Sequence, residues 1–291
     1  MSSRNLNVVM LGLLAVSASA SAPRAWADIV HTATPANTQA NFTYLDMPYA
    51  NGNPSRLLIV TPIWNPTPGA GIYNDHPIGV WYDASRGRWA VFNQDLAAMP
   101  IGASFYVFDG PPGESFAVQR CGAANIRNNS CYVDNPLTNG RPDALVFITA
   151  NWNPGGSGGV YNSHHTGVWY DGGAGKWAVF NQDRSAMTPD AAFNVMITRP
   201  GSALFVHRAS AANVAGNSTY VDALAKRPPF EVGWLWVTPN WSPAGGGGVY
   251  YDHAFGVWYD AGRGQWAIFS QDRQPMPAGV AFNVLMQSVP E

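Results

Sequence analysis

The stretch Gly79-Val80-Trp81-Tyr82-Asp83 decides the architecture of the chain, because the same five residue types recur at 167–171 and at 256–260. The recurrences lie about 88 residues apart, and a fixed period of this length indicates tandem copies of one structural unit. The sequence therefore predicts three homologous units, arranged either as separate domains or as one pseudo-threefold assembly.

A short leader precedes the repeats. Arg4 supplies a positive charge, residues 8–20 are apolar, and Ala25-Trp26-Ala27 offers the small residues that a signal peptidase reads. We expect residues 1–27 to be a signal peptide, followed by repeats at 28–114, 115–203 and 204–291. This organisation predicts a secreted or periplasmic protein.

Composition favours an all-β fold. Short runs rich in Val, Phe, Trp, Tyr and Thr alternate with clusters drawn from 30 Gly, 23 Pro and many Asn and Asp residues. After the leader, no segment of ten or more residues has a clean helical period. About six strands per repeat are expected, enough for a small β-sandwich or barrel. Whether the three units stand apart or share a core stays open at this point.

Charge and motifs exclude several classes of function. Only 12% of residues are charged and the formal net charge is −2, so no basic surface for nucleic acid is expected. No later stretch is apolar enough to span a membrane. Phosphate-binding, zinc-protease, nucleophile-elbow and calcium-loop motifs are missing, so we expect no cofactor and no metal and nominate no catalytic residue. The oligomeric state is not predicted.

The two cysteines fall in the second repeat. Cys121 and Cys131 flank a loop that reads as the connection between two antiparallel strands. Cross-strand neighbours are close enough to be bridged, and an exported protein meets an oxidising environment. We expect a disulfide that staples this repeat locally, since the other two repeats carry no cysteine.

The first candidate ligand-binding residues are the histidines of a Tyr-x-x-His element, namely His76, His164 and His253. Each follows a Gly-rich loop and precedes a strand, a place where binding residues concentrate. Asp75 and Asp252 directly precede two of them, and a histidine beside a carboxylate can act as a base or a ligand contact. The alternative is a histidine that caps a loop.

The second candidates are the polar residues that end the aromatic strand Trp-Ala-x-Phe-Asn-Gln-Asp. Amide and carboxylate groups at a strand end suit the hydroxyls of a sugar, but they also suit an Asx-turn that closes a hairpin. These candidates are Asn93, Asp95, Asn181, Asp183 and Asp272.

The third candidates are tryptophans. Trp64, Trp152 and Trp241 are each followed by Asn-Pro or Ser-Pro and then by a Gly-rich loop, so we expect them to be the most exposed of the nine repeated tryptophans. An exposed tryptophan beside polar groups is a platform for a sugar ring. The alternative is that all nine fill the cores of small domains.

The repeat unit as a whole resembles that of a family of uncharacterised tandem-repeat proteins secreted by bacteria. The resemblance rests on Gly-Val-Trp-Tyr-Asp, Trp-Ala-x-Phe-Asn-Gln-Asp and Phe-Asn-Val, and it covers the chain after the leader. It implies no activity. Ile63, Tyr106 and Ser270 depart from the pattern at positions where other repeats have Asn.

These observations favour a secreted, multivalent binding protein that contacts a glycan or cell-surface polysaccharide without catalysis, because linked weak sites gain avidity. One alternative is a structural or adhesin-type interaction protein. A second is an extracellular polysaccharide-active enzyme that uses a His/Asp pair.

Overall fold

The computed structural model describes residues 27–67, 70–201, 203–221 and 234–287, and within them the chain is almost entirely β. The predicted leader lies outside the described residues, except for Ala27, which begins the first strand. Each repeat contributes seven described strands, not the expected six, because two very short strands bracket one tight turn.

The strands of repeat 1 are β1 (Ala27–Thr32), β2 (Thr38–Gln39), β3 (Phe42–Tyr44), β4 (Leu57–Ile63), β5 (Ile78–Asp83), β6 (Arg88–Asn93) and β7 (Ser104–Gly110). Those of repeat 2 are β8 (Phe116–Arg120), β9 (Ile126–Arg127), β10 (Ser130–Tyr132), β11 (Leu145–Asn151), β12 (Thr166–Asp171), β13 (Lys176–Asn181) and β14 (Ala192–Thr198). Those of repeat 3 are β15 (Leu204–Arg208), β16 (Val214–Ala215), β17 (Ser218–Tyr220), β18 (Trp234–Pro239), β19 (Phe255–Asp260), β20 (Gln265–Ser270) and β21 (Ala281–Gln287). Short 3₁₀ turns at Pro154–Gly156 and Pro243–Gly245 follow β11 and β18.

Each repeat divides its strands between two sheets, and each sheet joins two repeats. One seven-stranded sheet has the order β1-β7-β4-β19-β20-β17-β16 and a second has β2-β3-β6-β5-β11-β14-β8. The third consists of β12-β13-β10-β9 and β15-β21-β18, which meet at a parallel bridge between Val168 and Asn240. The repeats therefore close into a pseudo-threefold ring of sandwich-like units, and the all-β prediction is confirmed.

The central strands β4, β11 and β18 lie closest to the threefold axis, and side chains of the next repeat complete their edges. Thr149 Oγ1 accepts a hydrogen bond of 2.9 Å from the backbone N–H of Val60, and Asn194 Nδ2 donates one of 3.0 Å to the carbonyl of Leu58. The threonine contact recurs twice around the ring, from Ile148 to Thr238 and from Val237 to Thr61. Buried backbone groups that no ladder pairs must find such partners.

Two more sets of contacts fasten each repeat to the next. The Asn153 side chain forms hydrogen bonds with both the backbone N–H and the carbonyl of Tyr82. At the other two junctions, Ser242 forms the same pair of bonds with Tyr170, and Asn65 does so with Tyr259. Gln94 Oε1 accepts from the backbone of repeat 2, as its counterparts Gln182 and Gln271 do from repeats 3 and 1.

The hydrophobic core follows the same plan. One face of each central strand packs inside its own repeat, as Leu58 and Val60 do against Trp89. The other face joins a shared core around the axis, in which Ile59, Phe147 and Trp236 are fully or almost fully buried. Alternation along the strand explains how one strand serves two cores. The three units thus share a core and are not separate beads.

The predicted disulfide is present between Cys121 and Cys131, with 5.5 Å between the Cα atoms. It replaces a different internal contact of the other repeats, where His31 bonds Thr43 and His207 bonds Thr219. In repeat 2 the histidine is replaced by Gln119, whose amide contacts the backbone carbonyl of Tyr132.

The two residues of repeat 1 that depart from the repeat pattern, Ile63 and Tyr106, stand at positions that are paired in the other repeats. In repeats 2 and 3 the corresponding positions form the buried amide pairs Asn151–Asn194 and Asn240–Asn283, both at 2.8 Å. In repeat 1 both become hydrophobic, and Ile63 and Tyr106 join the shared core. Replacing both partners of a buried pair avoids leaving one polar group unsatisfied.

No described helix is long and apolar enough to cross a membrane.

Candidate functional site: an axial histidine pocket and three aromatic grooves

The three predicted histidines converge at one end of the threefold axis. His76, His164 and His253 line a single pocket of about 60 Å³, together with threonine, proline and alanine residues from the central strands. Each of the three repeats thus contributes one histidine to the same pocket.

Each of these histidines is held by an aspartate of its own repeat. Nδ1 lies 2.7 Å from Asp95 in repeat 1, 2.7 Å from Asp183 in repeat 2 and 2.6 Å from Asp272 in repeat 3. Each aspartate also accepts a backbone N–H two residues further on, so it closes a turn and orients the imidazole at the same time. The carboxylate comes from the strand-end motif and not from the residue that precedes the histidine.

The hydrogen bonds around Asp183 favour its ionised form. Burial raises the pKa of Asp183, but hydrogen bonds from Ser185 and His164 outweigh that effect and leave the pKa below its usual range. Hydrogen bonds to the charged form favour ionisation. The aspartate is therefore an ionised partner for the imidazole.

The surroundings of the three pairs differ. His165 stands where the other repeats have Pro77 and Ala254, and its Nδ1 lies 3.0 Å from Asp252. Burial raises the pKa of Asp75, and the neighbouring carboxylate of Asp272 raises it further, against the opposing effect of three nearby histidines. Among the residues that the structure describes, no three His, Cys, Asp or Glu side chains are placed to hold a metal ion.

The predicted asparagines lie in the interior. Asn93 and Asn181 are fully buried and bond the side chains of Asn74 and Asn162, respectively. Asn93 Nδ2 also lies within hydrogen-bonding distance of two carbonyls of the following turn, as Asn181 Nδ2 does in repeat 2. In repeat 3 both partners change together, and the hydroxyl of Tyr251 bonds Ser270 at 2.9 Å. The polar atoms of these asparagine side chains are therefore already hydrogen-bonded within the protein.

The predicted tryptophans line grooves at the junctions between repeats. Trp64 packs edge-to-face on Trp258 of repeat 3, with ring centroids 6.1 Å apart, and is half-buried where the sequence suggested exposure. The Gly-rich loop covers it, because an ideal Cβ on Gly71 would lie only 1.4 Å from the carbonyl oxygen of Trp64. Only glycine permits this close approach of the two backbone segments.

The groove at this junction of repeats 3 and 1 has a volume of about 230 Å³. Its aromatic walls are Trp64, Tyr73, Trp258 and Phe269, and its polar groups come from Asn217 and Ser218. Aromatic faces with a few placed polar groups are typical of a small-ligand site. Tyr73 is 38% exposed, so the groove opens to solvent along its ring.

The aromatic walls of this groove recur at the other junctions. Between repeats 1 and 2 a groove of about 200 Å³ is lined by Trp81, Trp152, Phe92, Tyr161, Asn41 and Phe42. Between repeats 2 and 3 the same aromatic contacts recur, as Trp169–Trp241 at 6.1 Å, Trp241–Tyr250 at 5.6 Å and Phe180–Tyr250 at 6.0 Å. Each groove takes one wall from each of two repeats.

The structure thus separates the predicted site residues into three places. The histidines and aspartates lie at the axial pocket, the tryptophans lie in the junction grooves, and the asparagines lie inside. Sequence reasoning did not identify Tyr73, Tyr161 and Tyr250 as groove residues. A signal for them was available in the sequence, because a tyrosine recurs directly after the Gly-rich loop of every repeat, one residue after Ile72, Val160 or Val249.

The fold and site define a class of protein: a closed ring of three β repeats with an aromatic groove at each junction. The chain belongs to the family described as a domain of unknown function, DUF7452, whose model matches three times in tandem at residues 16–109, 80–197 and 167–286. The tandem-repeat prediction is confirmed. No curated protein and no solved structure matches the chain.

Proposed function

We propose that this protein is an exported, multivalent carbohydrate-binding protein whose three junction grooves each accept part of a glycan. The observation that carries the proposal is the recurrence of one groove, with two tryptophans, a tyrosine and a phenylalanine, at every junction. A catalytic centre has no need of three near-equal copies, whereas linked weak sites gain avidity.

The chemistry of the grooves suits a sugar. Aromatic faces pack against the C–H face of a pyranose ring, and Asn217 and Asn41 bring amide groups, which suit hydroxyls, to two of the grooves. Export is supported by the leader-like sequence of residues 1–27 and by the disulfide, which is stable in an oxidising compartment.

The test is a binding screen of the chain beginning at Asp28 against neutral and acidic oligosaccharides and polysaccharides, with reducing-end release measured in the same wells. We expect binding with no release. A variant with Tyr73, Tyr161 and Tyr250 all changed to Ala should lose binding, because these exposed rings form the open side of each groove.

The matched control is Tyr49→Ala. Tyr49 is 44% exposed, the same fraction as Tyr161, but it lies on a turn outside the three grooves. It should bind like the parent. Equal binding by the triple variant and the parent would contradict the groove proposal.

A second candidate function rests on the His–Asp pairs. A histidine whose Nδ1 is held by a carboxylate and whose other nitrogen faces a pocket has the arrangement of a general base. Release of reducing ends, abolished by changing His164 to Gln but retained in the tyrosine variant, would move the function to an extracellular polysaccharide-active enzyme.

A further inference from the structure

The three grooves share their aromatic walls but differ at two positions that decide their charge and polarity. The residue after the strand-end aspartate is Arg184 in repeat 2 and Arg273 in repeat 3, but Leu96 in repeat 1. All three adopt a left-handed backbone, with φ of 66°, 63° and 66°, respectively, and all three are exposed. The backbone therefore presents the side chain in the same way in each repeat.

The two arginines lie on the groove tyrosines of the next repeat. The guanidinium carbon of Arg184 is 5.6 Å from the ring centroid of Tyr250, and that of Arg273 is 5.4 Å from the ring centroid of Tyr73. In the described residues neither arginine has a carboxylate within ion-pair distance. The adjacent aspartates are already occupied by His164 and His253. Each arginine therefore brings an unpaired positive charge to the tyrosine ring that forms part of the groove wall.

The second difference, at the position of Ser130, Ser218 and Phe42, separates the same two grooves from the third. The grooves with an arginine carry Ser130 or Ser218, whose hydroxyl accepts the indole N–H of Trp169 at 3.1 Å or of Trp258 at 3.3 Å. The groove with Leu96 carries Phe42 at that position, packed edge-to-face on Trp81 at 5.2 Å. Two grooves thus have a serine and an arginine at these positions, and the third has a phenylalanine and a leucine.

We propose that the grooves at the repeat 2–repeat 3 and repeat 3–repeat 1 junctions bind acidic sugars, with Arg184 and Arg273 contacting the sugar carboxylate, while the repeat 1–repeat 2 groove takes an uncharged ring. This inference rests on the proposed carbohydrate-binding function. A guanidinium matches a carboxylate in geometry and charge, and a tyrosine face beneath it limits its freedom before the ligand arrives. The ligand class is a polysaccharide that contains uronic acids.

The experiment measures binding by isothermal titration calorimetry of oligosaccharides of glucuronic, galacturonic and mannuronic acid, each beside the same oligosaccharide with its carboxyl groups reduced. The parent protein should bind an acidic form about tenfold more tightly than its reduced form, the size expected for one charged hydrogen-bonded contact. Added salt should weaken only the acidic binding.

Two variants use the substitutions that the chain itself contains. Arg184→Leu with Arg273→Leu, which copies Leu96, should remove the tenfold preference, so that the acidic and the reduced oligosaccharide bind with the same affinity. Leu96→Arg should add a third acid-preferring groove and raise the stoichiometry for the acidic ligand from two to three.

The outcomes separate the two proposals. Binding of both oligosaccharide forms without an acid preference, or a preference that survives in the double leucine variant, would overturn the assignment of the arginines and leave carbohydrate binding standing. Failure of the parent to bind any acidic or reduced oligosaccharide of the panel, or any glycan in the wider screen, would overturn the carbohydrate proposal itself.

Discussion

Replacing Asn194 by alanine tests whether side chains from one repeat complete the central strand of another. Asn194 is fully buried, its Oδ1 accepts from Asn151 at 2.8 Å, and its Nδ2 donates to the carbonyl of Leu58 in repeat 1 at 3.0 Å. Alanine leaves one donor and one acceptor unpaired in the interior. Each unpaired group costs about 1–3 kcal/mol, so the expected loss of unfolding free energy is about 2–6 kcal/mol.

That loss is large beside the 5–15 kcal/mol or so that stabilises a typical domain. A loss of about 4 kcal/mol should lower Tm by about 8–16 °C in a chain of this size. The assay is equilibrium urea denaturation followed by tryptophan fluorescence, for Asn194→Ala, Asn151→Ala and the double variant. The double variant should be less destabilised than the sum of the singles by about 0.5–3 kcal/mol, because the two side chains share a bond.

The control is Gln274→Ala, whose exposed side chain should matter by no more than about 0.5 kcal/mol. Two results would refute the reasoning. One is an Asn194→Ala variant as stable as the control. The other is strict additivity of the two single changes, which would show that the amide pair does not act as a unit.

Three further predictions concern the interior and the loops. Burial lowers the pKa of His31 to about 4 from an ordinary 6.5, so as the pH falls the unfolded chain takes up the proton first. The contribution of His31 to the free energy of unfolding should therefore be fully present above about pH 6.5 and fall by about 3 kcal/mol toward pH 4. Urea denaturation across this pH range should show that this part of the pH dependence disappears in His31→Gln. Gly159→Ala should destabilise by about 1–3 kcal/mol in thermal denaturation, because a Cβ there would lie 1.5 Å from the carbonyl oxygen of Trp152, whereas Gly158→Ala, with open space around it, should melt like the parent. Reducing and alkylating the disulfide of repeat 2 should lower stability by about 3 kcal/mol, and an unchanged Tm would argue that the bond contributes nothing.

The composition of the chain was enough to predict its β class, and the period of the sequence was enough to predict the number of repeats. It could not predict that the repeats share sheets and a core. The central strand Leu57–Ile63 is buried on both faces, a pattern that also fits a strand inside an isolated sandwich. Only the partner that covers the second face distinguishes the two, and that partner lies in another repeat.

The departures from the repeat pattern are explained by contacts in the buried interior. The structure shows that two of them, Ile63 and Tyr106, occupy the two positions that form a buried amide pair in the other repeats. Ser270 changes together with Tyr251 in the same way. Joint change at two positions of one repeat was the available signal that these residues contact each other.

The candidate site was predicted residue by residue but not as an assembly. The sequence indicates both His76 and Asp95, yet it offers the neighbouring Asp75 as the partner of the histidine. A hairpin brings Asp95 to the imidazole across a separation of 19 residues. Which side chains meet across a hairpin depends on the register of its two strands, and the period of the repeats does not determine that register.

The closed ring links valency to the fold. Each groove takes Trp64, Trp152 or Trp241 from one repeat and Trp258, Trp81 or Trp169 from its neighbour, so a single repeat supplies only half-grooves. Three repeats in an open row would have two junctions, whereas three in a ring have three. The third groove joins Trp64 to Trp258, residues far apart in sequence, and it depends on pairing of the first repeat with the last through Ile63 and Val257. Ring closure therefore provides one of the two grooves that have an arginine, and a chain that folded correctly but failed to close would lose that groove while keeping the groove at the junction of repeats 2 and 3.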